Sequence, residues 1–219
     1  MKKSAIKLIS FPTCPYVQRS VFFMQYLELE YALEYIDLQN KPDWFTEISP
    51  LGKVPVLLVD NTTLFESHVI LEYLNETQGH NIHPTDPLIK ARHRALMELA
   101  SVMLGSGRMM LTAPDQEAFT ERKNKLFNQL AYLEQQVKQT PYFCGDTLCL
   151  LDFSFAPMLQ RLLFTQKYYV AELFDAAPKV KHWAESLVAL PAFKASVPED
   201  MEQRFVNKTS GNGGFIVQK

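Results

Sequence analysis

The sequence predicts an α/β domain with the element order βαβ-ββα, followed by an all-α domain. Short apolar, β-branched runs alternate with helical patterns in the first part of the chain. A segment with glycine, proline and histidine follows, and beyond it the patterns are long and helical. We therefore expect a first domain at residues 1–80, a linker at 81–87, a helical domain at 88–206 and a tail at 207–219. The tail is predicted to be flexible, or ordered only by docking.

The first domain contains four strand candidates and three helix candidates. Residues 5–9 are a compact apolar run, residues 17–29 have helical spacing, and residues 31–36 are rich in aromatic and β-branched side chains. A strand, a helix and a strand in this order imply a parallel βαβ unit. The other candidates are a helical turn at 42–48, strands at 54–59 and 63–65, and a helix at 67–78. The second domain has helical patterns at 88–111, 116–138, 152–165 and 178–190.

The composition is that of a globular protein and argues against several classes of function. Apolar residues make up 47% and charged residues 21% of the chain, and 22 basic residues face 24 acidic ones. This balance argues against a general binder of nucleic acid or anionic membranes. The most apolar long stretch, 148–164, carries Asp152 and Arg161, which a membrane span tolerates poorly. Three cysteines without a secretory leader predict reduced thiols in the cytoplasm.

The sharpest motif is Thr13-Cys14-Pro15-Tyr16, between a predicted strand and a predicted helix. Proline favours the first helical position, which puts Cys14 at the N-cap, beside unpaired N–H groups and the positive end of the helix dipole. We expect these to lower the pKa of Cys14 below its usual value. Val17 stands where a Cys-x-x-Cys motif has its second cysteine, so disulfide chemistry would pass through an external thiol. The alternative is a cysteine that merely begins a helix.

Two further motifs could bind a peptide-like ligand. Pro55 stands at the start of a predicted strand, where an edge position is one explanation, because proline donates no ladder hydrogen bond. With a cis Val54–Pro55 bond, the Val54 N–H and C=O would point outward and could pair with an extended peptide. Glu66 and Ser67 precede a predicted helix, so a capping Ser67 hydroxyl could bind an anion while Glu66 binds an ammonium group. A plain N-cap with an exposed acid is the alternative.

The remaining candidates favour structural roles. Two histidines near the linker, His80 and His83, lack further ligands nearby, so no metal site is predicted. The basic cluster at residues 90–94 is expected to be a solvated face. Cys144 and Cys149 are expected to be small packed side chains.

Taken in this order, the motifs resemble the cytosolic glutathione transferases. The resemblance rests on the Cys14-Pro15-Tyr16 helix start, Lys53-Val54-Pro55 before a strand, Glu66-Ser67 before a helix and the all-helical second half, and it extends to about Phe205. It implies a thioredoxin-like first domain. Cysteine at position 14 is similar to the omega class and its bacterial relatives, as is the segment at residues 38–45.

The resemblance implies the roles of individual residues. Cys14 would be the catalytic thiol, with Tyr16 beside it. Lys41 would bind the glycyl carboxylate of glutathione, with Lys53 as a second candidate. The backbone of Val54, before Pro55, would pair with the cysteinyl part, while Glu66 and Ser67 would hold the γ-glutamyl zwitterion. Glutathione is then the implied co-substrate, and no metal is implied.

The implied chemistry is thiol exchange through a mixed disulfide between Cys14 and glutathione, with a small disulfide or an electrophile as the other substrate. A cysteine becomes covalently engaged, so we predict thioltransferase or dehydroascorbate-reductase-like activity, including deglutathionylation, over conjugation. The second substrate would contact Met103, Arg108 and Met109. By analogy with the family we expect a homodimer, with Phe65 and the basic run at residues 90–94 at the interface.

Two features of the second half keep an alternative open. The segment from Pro141 to Asp152, and the residues after it, are also similar to the stringent starvation protein A family, whose members bind RNA polymerase without glutathione chemistry. A scaffold of that kind has no need of Cys14, Lys41 and the Glu66-Ser67 pair. In addition, the family's Ser/Thr-x-x-Asp capping box reads Cys149-Leu150-Leu151-Asp152 here. Since cysteine caps poorly, we expect a weaker helix start or a substitute cap from Thr147.

Overall fold

A computed structural model describes residues 6–78 and 82–218 of the chain. The chain divides into two compact units. The first contains the described residues up to Ile82 together with Pro191–Pro198, and the second contains His83–Leu190 and the residues from Glu199 onward.

A four-stranded mixed sheet forms the centre of the first unit, in the order β2-β1-β3-β4. The strands are β1 (Ile6–Ser10), β2 (Ala32–Tyr35), β3 (Val56–Val59) and β4 (Thr62–Phe65). β1 pairs with β2 in parallel and with β3 antiparallel, and β3 pairs antiparallel with β4. The central strands β1 and β3 are largely buried, as their apolar sequences predict.

The described residues of the first unit include the helices α1 (Pro15–Tyr26), α2 (Asp43–Ile48), α3 (Ser67–Thr77) and α8 (Pro191–Lys194). α1 packs against α3 and α8. The segment around α8 was predicted to belong to the helical domain. It joins the first unit because Phe193 is buried edge-to-face against Phe22 of α1, with ring centroids 5.2 Å apart.

The second unit is all-helical. It contains α4 (Pro87–Leu111), α5 (Gln116–Gln136), α6 (Leu150–Tyr168), α7 (Pro178–Ala189) and α9 (Met201–Gly211). α4 packs against α5 and α6, while α7 packs against α5 and α6. The predicted fold class is therefore confirmed. Among the described residues, no helix is both long and apolar enough to cross a membrane.

The tail predicted at residues 207–219 is ordered, not flexible, over its described part. Helix α9 continues to Gly211, and Phe215–Gln218 form a 3₁₀ turn. The Phe215 N–H donates to the Ala113 carbonyl at 2.8 Å, and a Cβ on Gly214 would lie 2.0 Å from the Leu111 carbonyl oxygen. Glycine is therefore required for this close backbone approach, and the segment is ordered by docking on α4 and α5.

Candidate functional site

The sheet register brings four strand ends together. Ser10 at the end of β1 aligns with Tyr35 at the end of β2. Ile9 pairs with Val56 at the start of β3, and Val56 pairs with Phe65 at the end of β4. The segments with the predicted site residues adjoin these ends: Cys14 follows β1, Lys41 follows β2, Val54 precedes β3 and Glu66 follows β4. The structure therefore brings the predicted site residues of the first unit to one end of its sheet.

Cys14 is the N-cap residue of α1, as predicted, and Pro15 is its first helical residue. The Cys14 N–H donates to the Phe11 carbonyl at 3.1 Å, and its carbonyl accepts from Gln18 N–H at 3.1 Å. The residue is buried and its thiol is reduced. The sulfur thus sits at the end of a helix whose first-turn N–H groups have no acceptors within the helix.

Lys41 lies against the loop that precedes β3. A Cβ built on Gly52 would lie 3.0 Å from the Lys41 Nζ, and Gly52 has a φ of +59°. Ser49 fixes the same loop, because its Oγ accepts from Lys53 N–H at 3.0 Å and donates to the Lys53 carbonyl at 2.9 Å. Both lysine side chains are exposed.

The Val54–Pro55 peptide bond is cis. An edge-strand position does not explain Pro55, because the strand that follows it, β3, lies between β1 and β4. The strand begins one residue after the proline, which leaves the ladder intact without a proline N–H. The backbone N–H and C=O of Val54 make no hydrogen bond to another described residue. They are therefore available to pair with an added strand-like ligand.

Glu66, rather than Ser67, is the N-cap residue of α3, which corrects the prediction. Glu66 has a φ of 68°, a left-handed conformation that costs free energy for a non-glycine residue and is concentrated at functional sites. The turn starts the helix at Ser67 and leaves the Glu66 carboxylate exposed. The Ser67 side chain is buried, and its Oγ accepts a hydrogen bond instead of capping the helix.

Arg19 is the residue of this region that sequence analysis missed. Its guanidinium is fully buried, and Nη1 donates to the Ser67 Oγ at 3.0 Å. The Tyr16 ring centroid lies 5.3 Å from its Cζ, in cation–π geometry. This buried cation connects the first turn of α1 to the start of α3. The apolar run at residues 21–24 was a usable signal, since a helix buried on all sides must also bury the arginine it contains.

Replacing Ser67 by alanine is expected to destabilise the protein by about 1–3 kcal/mol, because it removes an acceptor from a buried charged donor. Urea unfolding measures the change. Thr46→Ala is the matched control, since Thr46 is an exposed hydroxyl that donates to the Asp43 carbonyl. Equal effects of the two substitutions would contradict a stabilising role for the Arg19–Ser67 bond.

The three residues predicted to contact a second substrate differ in exposure. Met103 has no accessible surface and belongs to the core, which corrects its assignment to a cleft. Met109 is half exposed and Arg108 is exposed. The role of Arg108 and Met109 stays a prediction.

Cys144 and Cys149 were both expected to be packed side chains. Cys149 is buried, but Cys144 is exposed, so the prediction is wrong for Cys144. His93 is also buried, rather than part of a solvated face, and one of its ring nitrogens lies within 4.8 Å of both sulfur atoms. Three such atoms are one fewer than a closed tetrahedral zinc site uses. His83 is buried with its ring centroid 6.3 Å from that of His93, whereas His80 lies outside the described residues. The absence of a metal stays a prediction.

Asp152 completes the capping box of α6, although Cys149 is the N-cap residue. Its carboxylate is fully buried and accepts from Cys149 N–H at 2.7 Å, Phe143 N–H at 3.0 Å and the Trp183 indole N–H at 2.6 Å. Burial raises the pKa of Asp152 to about 6, against the opposing effect of these donors. The acid therefore satisfies the N–H of the N-cap residue itself, and Thr147 is exposed and lies before the helix.

Comparison with known proteins identifies the family. The family model described as "Glutathione S-transferase, N-terminal domain" matches residues 13–77, and the corresponding C-terminal domain model matches residues 116–186. Glutathione S-transferase omega-1 of Sus scrofa is 30% identical over 206 residues, which are 92% of this chain and 84% of the pig protein. The chain belongs to the glutathione S-transferase family.

A second relative agrees with this family, and a solved structure has the same fold. Glutathione S-transferase omega-1 of Rattus norvegicus is 31% identical over 188 residues, which are 83% of this chain and 76% of the rat protein. The crystal structure of glutathione transferase Omega 3C from Trametes versicolor has the same fold, with a TM-score of 0.80 at 21% identity. The alignment covers 95% of this chain and 93% of that one. The predicted omega-like resemblance and the assignment as a glutathione transferase enzyme are confirmed.

Proposed function

We propose that this glutathione S-transferase is a thiol–disulfide oxidoreductase in which Cys14 forms a mixed disulfide with glutathione. The observation that carries the proposal is the position of Cys14 as the N-cap of α1, at the end of the sheet where the other predicted binding segments also lie. The first-turn N–H groups and the helix dipole favour negative charge on a sulfur in this position. A thiolate there is a nucleophile towards a disulfide.

Glutathione is proposed to lie across the same end of the sheet. The unpaired backbone groups of Val54, beside Pro55, would pair with its cysteinyl part, which directs the glutathione sulfur towards Cys14. The exposed Glu66 carboxylate would hold the α-ammonium group, and the N–H groups at the start of α3 would hold the α-carboxylate. Lys41, supported by the loop at Gly52, would bind the glycyl carboxylate.

The proposed reaction has two exchange steps. The Cys14 thiolate attacks the glutathionyl sulfur of a small mixed disulfide, the disulfide bond breaks, and the substrate leaves as a thiolate that takes a proton from water. The thiolate of a second glutathione then attacks the Cys14–glutathione disulfide. Glutathione disulfide leaves and the Cys14 thiolate is restored, so one free glutathione is consumed for each mixed disulfide reduced. This chemistry needs reduced thiols, which supports a reducing compartment such as the cytoplasm.

A homodimer is proposed from the family resemblance. The apolar side chains of Phe65 at the end of β4 and Val69 in α3 are exposed at 43% and 52%, and both lie in the first unit. Exposed apolar side chains are a common feature of subunit interfaces.

Replacing Lys41 by glutamine is expected to raise the KM for glutathione by roughly 10–100-fold, because a charged hydrogen bond to a carboxylate is worth about 1.5–3 kcal/mol. The measurement is the rate of reduction of a small glutathione mixed disulfide against glutathione concentration, and it also tests the proposed function. Lys53→Gln is the matched control and is expected to change KM little. A larger effect at Lys53 would assign the carboxylate to that residue, and a wild type without any saturable turnover would contradict the proposed function.

A further inference from the structure

A second pair of thiols lies in the helical unit, with no role in the proposed glutathione site. Cys144 and Cys149 are in the connection between α5 and α6. Their two sulfur atoms and a ring nitrogen of His93 all lie within 4.8 Å of one another. Cys144 is exposed, whereas Cys149 is only 4% exposed and begins α6. Cys144 is therefore accessible to a reagent from solution, and the buried Cys149 is close enough to react with it afterwards.

The surroundings shift the pKa values of the two thiols in opposite directions. The Cys149 thiol donates to the Cys144 sulfur and, with His93 and Lys138, lowers the pKa of Cys144 to about 5 against the effect of burial. The pKa of Cys149 is raised, first by its hydrogen bond to Cys144, then by burial and by the carboxylate of Asp152. The exposed Cys144 is therefore the thiol of the pair whose surroundings favour the thiolate, whereas those of Cys149 favour the protonated thiol. An exposed thiolate beside a second thiol is the arrangement of redox-sensing cysteines.

We propose that Cys144 and Cys149 are a redox-active pair that a low-molecular-weight disulfide, such as glutathione disulfide, oxidises to a disulfide within the chain. The proposal is independent of Cys14 and of the proposed function, because the pair lies in the other unit and carries its own nucleophile.

The reaction balances in two exchange steps. The Cys144 thiolate attacks one sulfur of glutathione disulfide, whose S–S bond breaks and releases one glutathione thiolate. The Cys149 sulfur then attacks the Cys144 sulfur of the resulting mixed disulfide. The second glutathione leaves with the proton of Cys149, and the new S–S bond joins Cys144 to Cys149. Two protein thiols are oxidised and one glutathione disulfide is reduced to two glutathione equivalents.

The local backbone holds Cys149 in place and has a glycine next to Cys144. The Cys149 N–H is held by the Asp152 carboxylate. Cys144 is followed by Gly145, which has a φ of +126° and open space around the position of a Cβ. Among the described residues, Gly145 is held by paired hydrogen bonds to Tyr142, at 3.1 Å each. The glycine allows the loop to adjust when the two sulfur atoms bond.

The test exposes the full chain to excess glutathione disulfide in a buffer with a chelator, followed by acid quenching, denaturation and alkylation. Trypsin is expected to release residues 139–161 as one peptide with both cysteines, while Cys14 lies in a different peptide. The expected product has lost two hydrogen atoms and carries neither an alkyl nor a glutathionyl group. Treatment with a dithiol reductant before alkylation restores both alkylation sites.

Two variants separate the steps. Cys149→Ser is expected to fold, because serine is a better N-cap than cysteine, and to stop with glutathione on Cys144. Cys144→Ser is expected to leave Cys149 without glutathione and open to alkylation after denaturation. A wild type that keeps both thiols, retains glutathione on Cys144 or links two chains through Cys144 would overturn the proposal, as would a Cys149→Ser variant without an adduct.

Discussion

Replacing Cys14 by serine is expected to lower the rate of glutathione-dependent disulfide reduction by roughly 10³-fold or more, because the variant has no thiol to form the mixed disulfide. Serine is a favourable N-cap residue, so α1 keeps its start and the variant is expected to fold. The rate is measured with a small glutathione mixed disulfide as substrate. The same variant can gain conjugation to an electrophile, because a serine hydroxyl can donate to the thiolate of bound glutathione.

Cys144→Ser is the matched control, since it also removes one thiol but lies in the other unit. It is expected to keep the wild-type rate of disulfide reduction. A Cys14→Ser variant with the full rate would show that the covalent role is wrong, even if glutathione binds. If circular dichroism shows that Cys14→Ser has lost its fold, Cys14→Ala is measured at a lower temperature instead. The same loss of rate is then expected from folded protein.

Replacing Asp152 by alanine is expected to destabilise the protein by roughly 3–5 kcal/mol, because three donors, two of them buried, lose their acceptor. These donors are the N–H groups of Cys149 and Phe143 and the indole of Trp183, which is itself fully buried. Denaturant unfolding measures the change in free energy. Asp146→Ala is the control, because Asp146 is an exposed acid in the same connection, and its effect is expected to be within about 0.5 kcal/mol.

The pH dependence of stability gives Asp152 a second signature. Its pKa rises from an ordinary 3.8 to about 6 on folding, so the folded state binds more protons than the unfolded state between these values. The contribution of this group is therefore greatest below pH 4 and is lost as the pH rises through 6, by roughly 3 kcal/mol at 1.36 kcal/mol per pKa unit. Asp152→Asn lacks this dependence, so the wild type is expected to lose stability relative to the asparagine variant between pH 4 and pH 7. A constant difference would contradict the raised pKa.

The features that the sequence predicted well are those governed by local rules. The proline at the first helical position fixed Cys14 as the N-cap residue of α1, and the apolar runs located all four strands to within two residues. The predicted parallel βαβ unit places the ends of β1 and β2 together and the turn between residues 59 and 63 joins β3 to β4, whereas the antiparallel pairing of β1 with β3 was not predicted.

The features that the sequence missed depend on tertiary contacts. The burial of Arg19 depends on Ser67, which is distant in sequence, and the left-handed turn at Glu66 replaced the expected serine cap. Phe193 joined the first unit because of one ring contact with Phe22. Gly214 appeared to belong to a flexible tail, yet it allows a backbone approach that only the folded chain presents. A local sequence pattern does not predict contacts between residues that are distant in the sequence.

The most direct test of the central proposal is to trap the intermediate of the wild-type enzyme. Turnover with glutathione and a small glutathione mixed disulfide is quenched with acid, and the peptide that contains Cys14 is weighed by mass spectrometry. A glutathionyl group on Cys14 that forms at the rate of turnover and disappears when substrate is exhausted is the predicted result. Turnover with Cys14 unmodified throughout would contradict covalent catalysis, whereas neither turnover nor glutathione binding would favour a partner-binding protein of the stringent starvation type.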